Sequence, residues 1–146
     1  MKNVKIKCLK EHTPVYSSSG AAGADLRVVL DDVVILPSGE QRLLNTGVFL
    51  DMSGSNMCGH IFSRSGLSFN NNLVVANGVG LIDSDYRGEI KVAIRNMGDT
   101  SQTIHPGMRI AQIVFSPVII PNFVHVEEFE DITERGEGGF GSTGHE

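Results

Sequence analysis

From Glu89 to Asn96 the chain alternates without a break: Ile90, Val92 and Ile94 point one way, Glu89, Lys91 and Arg95 the other. Successive side chains of a strand face opposite sides, so a period of two marks a strand with one dry and one wet face. The same period appears at the start, where Val4, Ile6 and Cys8 alternate with Lys5 and Lys7. Residues 25–30, 33–36, 43–50, 57–63, 73–77, 109–115 and 118–120 are further short apolar or β-branched runs, each read as a strand. Turn chemistry separates them, at Pro37-Ser38-Gly39, over residues 83–88, at Met97-Gly98-Asp99 and at His105-Pro106-Gly107. No window longer than ten residues sustains a capped helical pattern. Many short strands without crossover helices exclude a wound α/β sheet. They predict an all-β sandwich, jelly roll or barrel, and no internal repeat is present.

A chain of 146 residues is one domain, here with a tail. The expected division is a β domain over 1–126 and an arm over 127–146. The arm is acidic to Glu134, and five of its last eleven residues are glycine. Such a segment buries too little apolar surface to offset its ordering entropy, so a mobile arm is predicted. The net charge of −5 argues against general nucleic-acid binding but leaves room for a nucleotide held by a few placed cations. The N-terminus lacks the apolar run of a signal peptide, and no stretch reaches the ~18 apolar residues of a membrane span, so a cytoplasmic protein is expected. Cys8 and Cys58 form no CxxC pair and are read as reduced thiols. The five histidines show no metal spacing and are read as structural or surface residues.

Five segments stand out chemically. In Ala22-Gly23-Ala24-Asp25-Leu26, small residues before an acid suit either a capped turn or a close backbone approach. Ser63-Arg64-Ser65-Gly66-Leu67-Ser68 suits a helix start or an anion nest of backbone N–H groups beside a guanidinium. The stretch from Asn77 to Glu89 gathers an amide, Asp83, Asp85 and Tyr86 around what reads as one hairpin. There Asp83 is a candidate general base, and Asn77 offers both donor and acceptor to a nucleobase edge. Arg109 and Gln112 interrupt an apolar strand, which surface exposure would also explain. The last segment, residues 135–144, lacks the Lys and spacing of a Walker loop. It does set Phe140 among glycines, with Arg135, Ser142 and Thr143 nearby, as a lid that orders on a ligand would.

Taken in this order, the five segments resemble the trimeric dUTP pyrophosphatase (dUTPase) family from Ala22 to Gly144. The resemblance implies a jelly-roll-like β subunit in a homotrimer. Its active sites would be shared between subunits, and one chain's arm would close over another's site. It implies hydrolysis of dUTP to dUMP and pyrophosphate with Mg²⁺, which limits uracil incorporation into DNA and supplies dUMP for thymidylate synthesis. Carried over, Asp83 would activate the attacking water and Gln112 would help orient water and phosphates. Tyr86 would pack on the deoxyribose and exclude a 2′-hydroxyl. Asn77, with backbone between Tyr86 and Lys91, would read the uracil edge, and Phe140 would cover the base. Arg64, Ser65 and Gly66 would bind phosphates, while Arg135, Ser142 and Thr143 would grip the γ-phosphate. Asp25 would reach the Mg²⁺ through water, the ion being held by the phosphates themselves. Ser68 stands where the family often has Ala, and the polar run Asn70-Asn71-Asn72 has no role in this reading.

Two rivals share the fold. A dCTP deaminase resembles a pattern with two Ser and a further Arg after the phosphate-binding Arg, which is absent here; ammonia release from dCTP would mark it. A non-catalytic nucleotide-binding trimer would be free to lose Asp83, Gln112 or the arm, and this chain keeps all three.

Overall fold

The alternation at 89–96 becomes a strand of eight residues whose Ile90, Val92 and Ile94 are buried to the last percent. A computed structural model describes residues 3–130 and 133–139 of the chain. In chain order its strands are β1 (Lys5–Lys7), β2 (Val15–Tyr16), β3 (Ala24–Arg27), β4 (Val34–Leu36), β5 (Gln41–Asp51) and β6 (Met57–Phe62). They continue with β7 (Leu73–Val75), β8 (Gly80–Ile82), β9 (Glu89–Asn96), β10 (Gln102–Ile104) and β11 (Arg109–Pro117). One helix, α1 (Ser65–Asn71), and a 3₁₀ turn over Lys10–His12 complete the described elements.

The strands form a four-stranded sheet in the order β1-β5-β9-β7, a five-stranded sheet in the order β2-β3-β11-β6-β8, and a small β10-β4 pair. Leu26, Ile61 and Ile113 of the larger sheet meet Leu44, Ile90 and Ile94 of the other in one buried cluster. The all-β expectation therefore holds, as two sheets closed over a shared core.

Asn96 is a fully buried polar residue with every side-chain contact satisfied. Its Nδ2 donates to the Leu36 carbonyl at 3.0 Å and the Thr100 carbonyl at 2.8 Å, and its Oδ1 accepts from the Gly98 N–H at 3.0 Å. One amide thus ties the end of β9 to β4 and to the turn before β10. On β5, the register slips between Asn45 and Phe49. Gly47 sits there at φ +67, and a Cβ would lie 3.0 Å from His12 Nδ1, so the bulge requires glycine. The Glu89 carboxylate accepts the Gly47 N–H at 2.7 Å and holds the bulge in place.

Three departures from the sequence reading have physical causes. Residues 118–120 are not a strand: Ile119 and Ile120 are exposed, and β11 stops at Pro117. The segment 77–89 is not a single paired hairpin. Strand β8 pairs with β6 and β9 with β5 and β7, so the chain crosses there from one sheet to the other. Strands β2, β8 and β10, two or three residues each, carry too little pattern to be read locally. The asparagine run acquires a role, since Asn72 closes α1 in the left-handed region at φ 54 and Asn71 Nδ2 donates to Gln102 Oε1 at 3.3 Å. Cys8 and Cys58 are both free thiols, as expected.

Replacing Asn96 with Leu strips a partner from the buried Leu36 carbonyl, from the Thr100 carbonyl and from the Gly98 N–H. The unfolding midpoint in urea should drop by the equivalent of roughly 2–4 kcal/mol. A loss below half that would mean water reaches these groups.

Candidate functional site

On β11, Arg109 and Gln112 stand three positions apart, a spacing that would normally send them to opposite faces. A bulge between Arg109 and Ala111 changes this. Ile110 and Ala111 both turn into the core, and Arg109 and Gln112 emerge on the same outward face. Gln112 is there the register partner of Asp25 on β3.

Asp25 is the hub of this face. Arg64 Nε donates to its Oδ1 at 2.7 Å, Arg109 Nη1 to its Oδ2 at 3.0 Å, and Ser17 Oγ to the same Oδ2 at 3.3 Å. Its side chain is only 12% exposed and that of Arg64 only 26%. Arg64 Nη1 also donates to the Arg109 carbonyl at 3.3 Å, which sets the plane of its guanidinium. Gln112 Nε2 donates to the Ser63 carbonyl at 3.0 Å, while Ser63 Oγ accepts the Val75 N–H at 2.8 Å. The side chain of Ser63 is therefore turned toward β7 and does not cap α1. The N-cap position falls on Arg64, which makes no side-chain cap. The first N–H groups of α1, at Ser65 and Gly66, consequently face a cleft of about 430 Å³ lined by Asp25, Arg64, Ser65, Gly66, Gln112 and Gly23 among others. Two guanidinium groups around one carboxylate leave the cleft cationic in a chain of net charge −5. This chemistry suits a polyanion.

Two glycines frame it. A Cβ on Gly23 would lie 2.6 Å from Gln112 Oε1, so this position must stay bare for Gln112 to keep its place. Gly66 meets nothing within 4 Å, so packing within the chain does not demand a glycine there.

A second cleft, of about 280 Å³, opens where β8 and β9 diverge, lined by Leu43, Leu81, Ile82, Asp83, Tyr86, Glu89 and Lys91. It adjoins a hollow of about 180 Å³ that brings in Asn77, Gly80 and Val75 and shares Lys91 with it. Tyr86 donates its hydroxyl proton to the Glu89 carbonyl at 3.0 Å. Its ring lies so close over Gly88 that no Cβ fits there. Asp83 is exposed and, among the described residues, its carboxylate has no ion-pair partner. Apolar walls with an amide, a phenol and a carboxylate at the rim suit a flat, partly polar ring.

The two clefts share no lining residue. Gln112 sits opposite Phe62, while Ile82 sits opposite Gly59, itself opposite Phe115. Asp83 therefore lies two strand spacings across and four residues along from Gln112, on the order of 15 Å away within one chain. Arg135 is exposed, lines neither cleft and donates from Nε to its own turn at the Gly138 carbonyl, 2.9 Å away. Phe140, Ser142 and Thr143 lie outside the described residues. The sequence reading passed over Arg109 and Ser17 as partners of Asp25; the odd spacing of Arg109 and Gln112 was the available signal. Among the described residues no cluster of three His, Cys, Asp or Glu could hold a metal ion, and no helix is long and apolar enough to cross a membrane.

The family model for dUTPase matches residues 10–144. The deoxyuridine 5′-triphosphate nucleotidohydrolase of Tolumonas auensis is 45% identical over 150 residues, covering 99% of each chain. That of Escherichia coli O7:K1 is 43% identical over 152 residues, covering all of both. Among solved structures, the dUTPase of Staphylococcus bacteriophage 80alpha with dUPNHPP is 29% identical, with a TM-score of 0.87 and 99% of each chain covered. A dUTPase from phage phi11 of S. aureus, solved with a structural Mg(II) ion, shares the fold at 24% identity and a TM-score of 0.78, over 89% of this chain and 100% of that one.

Substituting Gly23 with Ala should push Gln112 away from the Ser63 carbonyl while leaving the fold intact. Calorimetric titration with inorganic tripolyphosphate should then show binding weakened about tenfold. Unchanged affinity would remove Gln112 from the anion site.

Proposed function

The chain belongs to the dUTPase family and hydrolyses dUTP to dUMP, and we propose that it does so at a composite site completed only when copies of the chain assemble as a homotrimer. One observation carries this reading: the cationic cleft around Arg64 and the cleft around Asp83 are chemically complementary, yet far apart in the same chain. A second copy, bringing its Asp83 cleft to this Arg64 cleft, would make one site from two halves. The surface is suited to such contact. Phe123 and Phe129 are 85% and 89% exposed, and an apolar groove of about 400 Å³ lies between Ile6, Tyr16, Leu26, Leu50, Met57 and Phe115. The C-terminal arm, 127–146, would close the site of another subunit, with Arg135, Ser142 and Thr143 on the γ-phosphate and Phe140 over the base.

In this reading the triphosphate lies against Arg64 and the first N–H groups of α1, at Ser65 and Gly66. Asp25 positions Arg64, and Gln112 orients phosphate and water. The uracil enters between Leu43, Leu81 and Val75, with Asn77 and the backbone near Lys91 reading its edge. Cytosine reverses a donor and an acceptor there and leaves buried polar groups unpaired, a strong basis for rejection. The Tyr86 ring packs on the deoxyribose and leaves no room for a 2′-hydroxyl. Asp83 takes a proton from water as its oxygen bonds to the α-phosphorus. The bond from that phosphorus to the bridging oxygen breaks, and pyrophosphate leaves with that electron pair.

The donor set fits an Mg²⁺ held by the phosphates. Among the described residues Asp25 is the one carboxylate lining the anion cleft, and beyond its Arg and Ser contacts it retains one acceptor position for the ion's water shell. When bound, the ion would offset charge on the phosphates.

Three measurements test the reading. Pyrophosphate release with Mg²⁺ from dUTP, UTP, dTTP and dCTP should occur with dUTP alone. Asp83→Asn should lower kcat by about 10³-fold with little change in dUTP affinity. Wild-type turnover in that variant would remove Asp83 as base. Arg64→Ala and Asp83→Asn chains, each inactive alone, should recover about a quarter of wild-type activity when refolded together in equal amounts, because mixed oligomers pair one intact half with another. No recovery would place the whole site within one chain.

A further inference from the structure

The loop 83–88 is one of the connections between the two sheets, joining β8 to β9, and it carries both Asp83 and Tyr86. Internally it is held by the Tyr86 N–H on the Asp83 carbonyl at 3.2 Å and by the Tyr86 hydroxyl on the Glu89 carbonyl at 3.0 Å. These bonds shape the loop and tie it to the start of β9, but not to the neighbouring strand β5.

Arg87 supplies that link. Phe49 on β5 pairs with Glu89 on β9, so the same register carried two residues further sets Arg87 opposite Asp51. There Arg87 Nη2 meets Asp51 Oδ1 at 2.8 Å. Its Nη1 turns back and donates to the Ser84 carbonyl at 2.8 Å and the Tyr86 carbonyl at 3.0 Å. One planar guanidinium therefore gathers two loop carbonyls and ties them to a strand end. Asp51 is itself held, its Oδ1 accepting Ser53 N–H at 3.0 Å and Ser53 Oγ at 2.6 Å, with Lys5 Nζ 3.7 Å from Oδ2. Among the described residues this ion pair is the loop's one side-chain link to a strand other than β9.

We propose that Arg87 and Asp51 form a positioning pair, which holds the loop so that Asp83 reaches the attacking water and Tyr86 reaches the sugar. The proposal rests on the roles given above to Asp83 and Tyr86. Both residues of the pair act through the loop and touch no substrate. The Ser53 hydrogen bonds, with Arg87 and Lys5 alongside, hold the Asp51 carboxyl below its ordinary value. That pairing is present above the usual carboxylate range and is lost only as pH falls through the lowered value. The effect of its removal should accordingly be constant from about pH 6 to 9.

A lysine keeps the charge but not the planar fork that spans three acceptors, so Arg87→Lys is an informative change. In the full-length protein, Asp51→Ala, Arg87→Lys and Arg87→Met should each lower kcat for dUTP about tenfold. They should also narrow the preference for dUTP over UTP, because Tyr86 moves with the loop. Oligomeric state and unfolding midpoint should stay as in the wild type, since an exposed ion pair contributes little to stability. The double change Asp51→Ala with Arg87→Met should be no worse than either alone. Wild-type kcat and selectivity in the single variants, or losses that add in the double, would overturn the pair. Asp83→Asn runs in the same series. If it keeps turnover, the base assignment fails, and the pair is then judged by the dUTP-to-UTP ratio alone.

Discussion

The carboxylate of Asp25 lies between two guanidinium groups, and the anion cleft is organised around that contact. A charge this far withdrawn from water is costly unless it is paired and hydrogen-bonded. Here each carboxylate oxygen meets a guanidinium, and Ser17 adds a third bond. The pairing joins three distant parts of the sequence: β3, the entry to α1 and the start of β11. The excess positive charge that remains is held in one orientation before any ligand arrives. An anion site needs such preorganisation, because long side chains otherwise lose rotamer entropy on binding.

Absence of side chains matters as much here as their presence. Gly23 leaves room for the Gln112 amide, Gly88 for the Tyr86 ring, and Gly47 for a bulge whose N–H is held by Glu89. At Gly23 and Gly88 a single Cβ would displace a group that has a stated partner, and at Gly47 it would press on His12 and Val29. Gly66 differs, since it faces open space within the chain and so leaves its backbone approachable from outside.

The separation of the two clefts follows from the sheet topology. Asp25 lies on β3 and Gln112 on the central strand β11 of the five-stranded sheet, while Asp83 follows β8 at its edge, with β6 between. No rotamer bridges a gap on the order of 15 Å. In the proposed trimer symmetry would solve this, because the half-site one copy lacks would be the half-site the next copy presents. The proposed assembly would also give a use to the exposed apolar groove and to the exposed Phe123 and Phe129.

Much of this was legible in sequence. Local alternation revealed β9 and its buried face, and the all-β class followed from short runs and turns. The chemical character of Arg64, Asp83, Tyr86 and Gln112 could be read from residue type and order. The remainder depended on contacts between distant segments. Two- and three-residue strands form because an edge is available, not because their own residues demand it. The bulge in β11 is visible only once β3 lies beside it. The crossing of 77–89 between sheets, and the Arg87–Asp51 register, require both sheets in place. The sequence by itself determined which groups are available and which faces are dry, because periodicity and side-chain chemistry are local. Only the tertiary structure decided which groups meet and which stay apart, because that depends on strand register and on the packing of two sheets across one core.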